Sequence, residues 1–554
     1  MIGLNKIGLN QVQLNRLRLN APFPAYGKMA GGGGSGDGFP VLPGDVTRWH
    51  FGGLTNEMMA AMDDPRIEDA DGKGRFLSFK NFAWKGMSGV GGYGDENYQT
   101  FYKFTLDDYV FIASPPGVKH MNFTFRVTGL QPGNKLTLAF FGTTNTVYGI
   151  WDKDGIYTVD ADIVEAGKPT YFYNGYGATR GEFTIEILPL YPGALVFDGV
   201  DDYGVCENFP ILTKEKGYTV VALRQWISMG EGISGLVSNV KNWFNDGAFV
   251  LEYNSNNATN KFVNRPVSFG NVNIEMDLPN NFTYQTSKSY KGVPITTGYF
   301  KGTNSLFVGK LNNIIGNCSN VAIWELVFLD HDATEEELTK IKDYFVKTYP
   351  WLFPDQAWTV TGKTNEDEDR ATIANITGNG NDLVLSNFGF AEGSGYNEEG
   401  EYAGYLVTDG VDDRVVSSLF TLNKDWTIVG NWKMLQPEAN KSAGIVKQNS
   451  LFIYNHVDGL SISINAAYSS FKLKDIRSVN AICSDGRIYL NDWTEIIDSK
   501  QQTVNESVGT LVIGILGNVY TSLAFKNLGF YNNQNLSKDD CIKAYNYLQS
   551  LKAK

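Results

Sequence analysis

The stretch ALVFDGVDDYGV (residues 194–205) recurs as YLVTDGVDDRVV (residues 405–416). In both copies, apolar residues precede an Asp-Gly pair, and two more aspartates follow it. Asp-Gly favours tight turns, because glycine readily adopts the positive φ that many of them require. We therefore expect a strand, a turn and a second strand at both places, and the repetition indicates a duplicated domain.

The match extends in both directions from this motif. The segment WHFGGLTNEMMAAMDDPRIEDADGKGRFLSFKNFAW, from Trp49, aligns with WTVTGKTNEDEDRATIANITGNGNDLVLSNFGF, from Trp358. Further matches follow downstream: residues 217–226 resemble 425–432, and residues 306–311 resemble 511–516.

The spacing of the matched motifs predicts an insertion in the first copy. Phe82 aligns with Phe388, which is 306 positions later, whereas Asp198 aligns with Asp409, which is only 211 positions later. The first copy therefore contains about 95 additional residues, the size of a small domain. We place this domain at residues 98–192 and expect a seven-stranded, immunoglobulin-like β-sandwich, because its apolar residues alternate in short runs.

The pattern throughout is all-β. Short runs with period 2, such as LSISI (residues 460–464), alternate with glycine-containing turns, as is typical of sandwiches and jelly rolls. Each copy ends in a predicted short helix, with a capping box at Thr334 and Glu337 in the first and an N-cap at Ser537 in the second. The predicted organisation is an N-terminal segment (1–20), a Gly-rich linker (21–44), a first jelly roll (45–97 and 193–353), the inserted sandwich (98–192) and a second jelly roll (355–554).

Four motifs of the second copy, in this order, resemble those of concanavalin A-like, laminin-G-like jelly rolls. They are GNGND (378–382), TDGVDD (408–413), SDGRIYLN (484–491) and NLSKDD (535–540). The first copy has FDGVDDY (197–203) and the final helix, but its Gly-x-Gly piece is GKGRF and a counterpart of the SDGRIYLN hairpin is not evident. The resemblance implies tandem jelly rolls, which serve as lectins, adhesion modules, hydrolases or spacers, so it implies no single activity.

The N-terminus has a separate pattern, MIGLN-KIGLN-QVQLN-RLRLN, followed by the glycine-rich KMAGGGGSGDGFP (residues 28–40). Its aliphatic side chains have nothing of their own to be buried in, so we expect this segment to become ordered on a partner, with the glycines as a flexible tether. The predicted anchoring residues are Ile2, Leu4, Ile7, Leu9, Val12, Leu14, Leu17 and Leu19.

An anchor, a tether and tandem lectin-like sandwiches resemble the build of virion fibre or decoration proteins of phages, similar to the crAss-like phages of gut Bacteroidetes. The resemblance implies a virion protein without enzymatic activity, assembled in the host cytoplasm, which docks on a capsid or tail protein. Lectin-like domains would bind host surface glycans, and weak sites favour an oligomer, most simply a homotrimer. The alternatives are a glycan depolymerase of a tail fibre or tailspike and a bacterial surface lectin, although the N-terminus lacks a secretory signal pattern.

Composition argues against other function classes. The formal net charge is −13 and lysines and arginines form no blocks, which argues against nucleic-acid binding. No stretch approaches about 18 apolar residues, so we expect no membrane insertion. The scattered cysteines predict buried side chains rather than disulfides or a zinc site, and we expect no cofactor; they are Cys206, Cys318, Cys483 and Cys541.

The aspartates of the repeated motif allow two interpretations. Asp198, Asp201 and Asp202, with their counterparts Asp409, Asp412 and Asp413, could supply oxygen ligands to Ca²⁺. Alternatively, the first aspartate begins a turn and the later ones accept hydrogen bonds from backbone N–H groups. We prefer the turn and assign no metal site.

Residues for catalysis or sugar binding are harder to identify. The paired carboxylates of jelly-roll glycanases find their nearest match in Glu275 and Asp277, where a third carboxylate is missing and Pro279 ends the strand, so we assign no catalytic residue. Sugar binding needs exposed aromatics and amides. Five residues qualify without being assigned to a site, namely Trp243, Tyr253, Asn254, Tyr454 and Asn455, whereas Trp226 and Trp432 are predicted to be core.

Overall fold

A computed structural model describes most of the chain. The described residues are 38–93, 101–104, 109–113, 120–140, 145–162, 170–174, 181–228, 234–241, 247–254, 262–264, 274–275, 281–290, 292–294, 302–312, 317–435, 443–448, 451–456, 459–464, 471–474, 478–497, 506–516 and 519–553. The predicted anchoring residues and most of the Gly-rich linker lie outside them.

As predicted, the described part of the chain is nearly all β. Its helices are α1 (Asn56–Ala60), α2 (Glu335–Thr348) and α3 (Lys538–Gln549), with 3₁₀ turns at Pro350–Leu352 and Gly400–Tyr402. None of the described helices has the length and apolarity that crossing a membrane requires.

Residues on both sides of the predicted insertion form two antiparallel sheets, each with eight described strands. Sheet 1 contains, in spatial order, Val293–Pro294, Ser289–Tyr290, Phe282–Thr286, Thr219–Ser228, Asn320–Leu329, Leu195–Asp198 and Gly89–Val90, with Val46–His50 also paired to Asn320–Leu329. Sheet 2 contains Ile274–Glu275, Phe262–Asn264, Val250–Asn254, Ser234–Ser238, Leu306–Val308, Tyr203–Cys206, Phe76–Lys80 and Arg66–Glu68. Apolar side chains of both sheets form a shared core that includes Trp49, Phe328 and the predicted core residue Trp226.

The inserted residues, which separate the two parts of the first jelly roll in the sequence, form a separate sandwich of two sheets. Sheet 3 contains Gly155–Asp162, His120–Thr128, Phe183–Ile187 and Phe101–Phe104, and sheet 4 contains Tyr109–Ala113, Thr170–Asn174, Leu136–Phe140 and Thr146–Trp151. Eight strands are therefore described where the sequence predicted seven. The strand Thr146–Trp151 lies at the edge of its sheet, where none of its side chains is fully buried, so its sequence lacks clear apolar alternation.

The second copy repeats the architecture of the first. Sheet 5 contains Gly395–Asn397, Tyr405–Val407, Leu523–Asn532, Trp426–Met434, Val479–Cys483, Arg487–Leu490 and Glu495–Ile497, with Gln356–Thr359 also paired to Leu523–Asn532. Sheet 6 contains Thr372–Ile373, Leu383–Ser386, Arg414–Leu422, Ser507–Ile513, Ala443–Gln448, Leu451–His456, Gly459–Ile464 and Phe471–Lys474, beside a small hairpin of Ile515–Leu516 and Val519–Tyr520. Trp432 packs in the core between the two sheets, as predicted. The exact domain boundaries stay a prediction.

The helix caps follow the sequence. The Thr334 hydroxyl accepts a hydrogen bond from the Glu337 N–H at 3.3 Å, and the Glu337 carboxylate accepts one from the Thr334 N–H at 2.8 Å, which completes the predicted capping box. Ser537 caps α3 by accepting from the Asp540 N–H at 3.1 Å.

Helices α2 and α3 pack, with Pro350–Leu352, in a core that both jelly rolls share. This core includes Phe345 of α2, Trp351 between the rolls, Tyr531 of sheet 5 and Leu548 of α3, and the inserted sandwich contributes Ile156. The Tyr531 hydroxyl also donates to the Trp351 carbonyl at 2.9 Å. The two rolls therefore meet through a buried apolar contact, which fixes the position of one roll relative to the other.

Candidate functional site

Both Asp-Gly loops form the predicted turn. The Asp198 carboxylate accepts from the Val200 N–H at 2.7 Å, and Asp202 accepts from the Asp198 N–H at 3.1 Å and from the Ser88 hydroxyl at 3.0 Å. The second loop repeats these bonds with Asp409, Val411, Asp413 and Ser394. The glycines have φ values of 81° and 75°, and a Cβ on Gly410 would lie 2.9 Å from the Ser522 nitrogen, so the turn requires glycine.

The three carboxylates of each loop lie within 4.8 Å of one another. Burial raises the pKa of Asp202 to about 7 and that of Asp413 to about 6, and the neighbouring aspartates add to the shift. Both carboxylate oxygens of Asp202 and of Asp413 accept hydrogen bonds from backbone N–H and serine hydroxyl groups, as expected for a turn, and we assign no metal to these loops.

The predicted sugar-binding candidates lie outside the described side chains. Trp243 lies outside the described residues altogether, and Tyr253, Asn254, Tyr454 and Asn455 are described only as strand backbone. The side chains of the nearest match to a glycanase motif are also not described: Glu275 is described only as strand backbone, and Asp277 lies outside the described residues. These candidates stay predictions.

A cavity of about 650 Å³ lies between the two jelly rolls. Sheet 1 and helix α2 line one side, residues 352–355 lie between the rolls, and the end of the Leu523–Asn532 strand and the loop before Leu383–Ser386 line the other side. The lining residues are Asn281, Phe282, Tyr284, Lys342, Val346, Leu352, Phe353, Pro354, Asp355, Ile376, Thr377, Asn379, Asn532, Asn533, Gln534 and Tyr547.

The first side of the cavity presents an aromatic surface. Phe282 and Tyr284 alternate along one strand of sheet 1, so both side chains lie on the same face of the sheet. Their ring centroids are 5.8 Å apart, and both rings are half-buried. Half-buried aromatic faces at the edge of a cavity offer stacking surface to the apolar face of a ligand.

Asn281, next to Phe282 in the sequence, is a buried polar residue that also lines the cavity. Its side-chain amide donates to the Leu352 carbonyl at 2.5 Å and to the Tyr547 hydroxyl at 2.9 Å. Asn281 is 4% exposed, and its Oδ1 atom has no hydrogen-bond partner among the described residues. A buried acceptor without a donor costs about 1–3 kcal/mol, so a ligand hydroxyl that came within reach of this atom would be stabilised by it.

The second side of the cavity consists of amides around one carboxylate. The Asn379 side chain donates to the Asp355 carbonyl at 2.8 Å, and the Asp355 carboxylate accepts from the Asn532 N–H at 2.6 Å. Burial is the largest influence on the Asp355 carboxyl and raises its pKa. Asn533 and Gln534 also line this side of the cavity with their amide groups. The side chain of Asn379 is exposed, so its remaining donor and acceptor are available to a ligand.

The GNGND loop acquires its shape from local hydrogen bonds. Asp382 accepts from the Asn375 N–H at 2.8 Å, and Asn375 accepts from the Thr377 N–H at 3.0 Å. Gly378 and Gly380 have φ values of 77° and 73°, which allows the chain to reverse on both sides of Asn379. The motif that carried the family resemblance thus presents Asn379 to the cavity.

Aromatic faces next to amide groups suit a ligand with many hydroxyls, because sugar rings stack through their C–H faces and exchange hydrogen bonds with amides. The sequence could not single out this set, since its members come from two jelly rolls and are separated by up to about 260 positions. The available signal was the amide-rich run YNNQN (residues 531–535), which begins in the last two residues of the strand Leu523–Asn532 of sheet 5 and continues beyond it.

No protein-family model matches the sequence, and no curated protein does. Among solved structures, a Trypanosoma rangeli sialidase matches with 10% identity over 73% of this chain and 68% of its own, at a TM-score of 0.27. The same sialidase in complex with sialic acid matches with 10% identity over 74% and 76%, also at 0.27. The binding domain of botulinum neurotoxin serotype D matches with 11% identity over 62% and 88%, at 0.23.

These neighbours are rich in β-sandwich and jelly-roll-like structure, in agreement with the fold described above. They include enzymes, which contradicts the expectation that the chain has no enzymatic activity. That expectation relied on the absence of known catalytic motifs, but one β-sandwich fold carries both catalytic and binding sites, so we withdraw it. At these TM-scores the likeness carries no argument for a particular activity of this chain.

Proposed function

We propose that the protein is a glycan-binding attachment protein and that the cavity between its jelly rolls holds the glycan. The observation that carries the proposal is the buried Asn281 Oδ1 atom without a described partner, which lies beside the aromatic pair Phe282 and Tyr284. A cavity of about 650 Å³ has the volume of an ordinary small-ligand site, which suits a few sugar units. Its described lining residues include one lysine and one carboxylate, so we expect a neutral glycan.

The test is the binding of the full chain to an array of defined neutral and acidic oligosaccharides. We expect binding to at least one neutral oligosaccharide, and Tyr284→Ala and Asn379→Ala should each weaken it roughly tenfold, the effect of about 1.4 kcal/mol. Two matched controls, Tyr203→Ala and Asn208→Ala, change a half-buried tyrosine and an exposed asparagine elsewhere and should leave it unchanged. Binding to no neutral oligosaccharide, or equal binding by all variants, would reject this site. Analysis of the oligosaccharides after incubation with the protein would show whether it also cleaves them.

We further propose that the protein is carried on a phage virion, as a head fibre or decoration protein. The four repeats of residues 1–20, with eight aliphatic side chains ahead of a glycine-rich tether, support this role, as does the resemblance in build. The partner is then a capsid or tail protein, and homotrimers would make weak sugar sites effective. A chain without residues 1–20 should stay folded but no longer enter particles, and its normal incorporation would contradict the anchoring role. Light scattering of the whole protein should show an oligomer, and a monomeric mass would contradict the homotrimer.

A further inference from the structure

A second cavity, of about 340 Å³, lies between the inserted sandwich and the second jelly roll. Tyr148 and Trp151, from the edge strand of sheet 4, line it on one side, and Tyr405 of sheet 5 lines it on the other. No residue of the first cavity takes part, so the two sites are physically separate.

The contacts between the two domains hold this cavity in place. Lys153 of the inserted sandwich forms an ion pair with Asp492, and the Thr124 hydroxyl donates to the Asn546 side chain at 3.0 Å. Ile156 packs in the core that the two jelly rolls share. The walls of the cavity are therefore fixed by polar and apolar contacts before a ligand arrives.

Polar groups from sheet 5 and from residues next to its strands also line the cavity. The Tyr405 hydroxyl donates to the Asn431 side chain at 3.1 Å, the Asn480 amide donates to the Asn491 carbonyl at 3.2 Å, and the Asn491 side chain bonds to Ser478 at 2.7 Å. Amides and hydroxyls of this kind, facing two aromatic side chains, again match the chemistry of a sugar.

Charge distinguishes this cavity from the first one. Lys433 is the single charged residue among the described residues that line it, and its side chain is exposed. The Lys433 Nζ atom lies 5.6 Å from the centroid of the Tyr405 ring, and the Lys526 Nζ atom lies 5.4 Å from the same centroid. Two ammonium groups thus lie near the buried Tyr405 ring, and Lys433 alone of the two lines the cavity, without a carboxylate among the described lining residues to oppose it.

We propose that this cavity is a second glycan site, specific for acidic sugars that carry a carboxylate or a sulfate. The half-buried aromatic side chains Tyr148 and Trp151 stack against the sugar ring, Lys433 binds the anionic group, and the asparagines bind the hydroxyls. The inference rests on the proposed role in glycan recognition but not on the cavity between the jelly rolls. One chain would then recognise a neutral and an acidic part of a surface polysaccharide at two separate places, which strengthens attachment through multivalency.

The test uses the full chain on an array in which each uronic acid, sialylated or sulfated oligosaccharide stands beside its carboxyl-reduced or desulfated form. We expect at least one acidic oligosaccharide to bind better than its neutral form, and more weakly as salt rises, because salt screens exposed charges. Lys433→Gln should weaken this binding roughly tenfold, since a hydrogen bond to a charged group contributes that much. Lys433→Arg should retain it, and the exposed control Lys424→Gln should leave it unchanged.

The outcomes separate this proposal from the preceding one. If no acidic oligosaccharide binds better than its neutral form, or if Lys433→Gln has no effect, the second site is rejected, while neutral binding that depends on Tyr284 would keep the first. If acidic binding depends on Lys433 but Tyr284→Ala changes nothing, the second site stands and the first is rejected.

Discussion

At the scale of single residues, Asn281 connects the fold to the proposed site. Its amide nitrogen joins Leu352 to Tyr547 of helix α3, so it helps to hold the two jelly rolls together. Its oxygen is buried without a hydrogen-bond donor among the described residues, and Asn281 is one of the residues that line the cavity. One side chain therefore combines a structural contact with an unsatisfied acceptor, and a ligand hydroxyl would offset the cost of burying that acceptor.

The buried aspartates of the repeated turns predict a pH dependence of stability. Because the pKa values of Asp202 and Asp413 are raised to about 7 and about 6, the folded protein holds protons that the unfolded chain releases above about pH 4. Their contribution to stability is therefore fully present below about pH 4 and is lost as the pH rises through 6 to 7. At higher pH the folded protein holds two buried charges.

We expect the double variant Asp202→Asn, Asp413→Asn to remove this dependence. Asparagine keeps an acceptor for the backbone N–H and cannot become charged. The melting temperature of each protein is measured by calorimetry at pH 5 and at pH 8. The difference between the variant and the wild type should shift in favour of the variant at pH 8, where the wild-type aspartates have lost their protons. Equal changes of melting temperature with pH in both proteins would contradict the raised pKa values.

At the scale of elements, the sequence predicted what depends on local chemistry. The capping box at Thr334 and the cap at Ser537 could be predicted, because each needs only residues within one helical turn. The turns at Gly199 and Gly410 could be predicted for the same reason. The sequence predicted one strand fewer than the eight described in the inserted sandwich, and the edge strand Thr146–Trp151 is hard to recognise, since its side chains face both solvent and the cavity and give no period-2 pattern.

The cap of α2 can be tested directly. Thr334→Ala removes the acceptor for the Glu337 N–H and should lower the free energy of unfolding by about 1 kcal/mol. Thr339→Ala, in the exposed middle of the same helix, should not destabilise the protein, because alanine is the better helix former. Urea unfolding of both variants provides the measurement, and an equal loss in both would show that the cap contributes nothing specific.

At the scale of the whole molecule, both candidate sites lie between domains. The first depends on the packing of two jelly rolls around Trp351, and the second on the docking of the inserted sandwich through Lys153 and Asp492. The sequence predicted the duplication and the insertion, because these leave repeated motifs at fixed offsets. It could not predict which faces of the domains meet, since that depends on shape and on contacts between distant residues such as Thr124 and Asn546.

The most direct test of the central proposal is hydrogen exchange of the full chain, with and without the neutral oligosaccharide that the array selects. Binding between the jelly rolls should slow exchange of backbone amides in residues 281–284, 377–379 and 532–534, which line the cavity from both rolls. Protection confined to other segments, with these three unchanged, would contradict a glycan site between the jelly rolls.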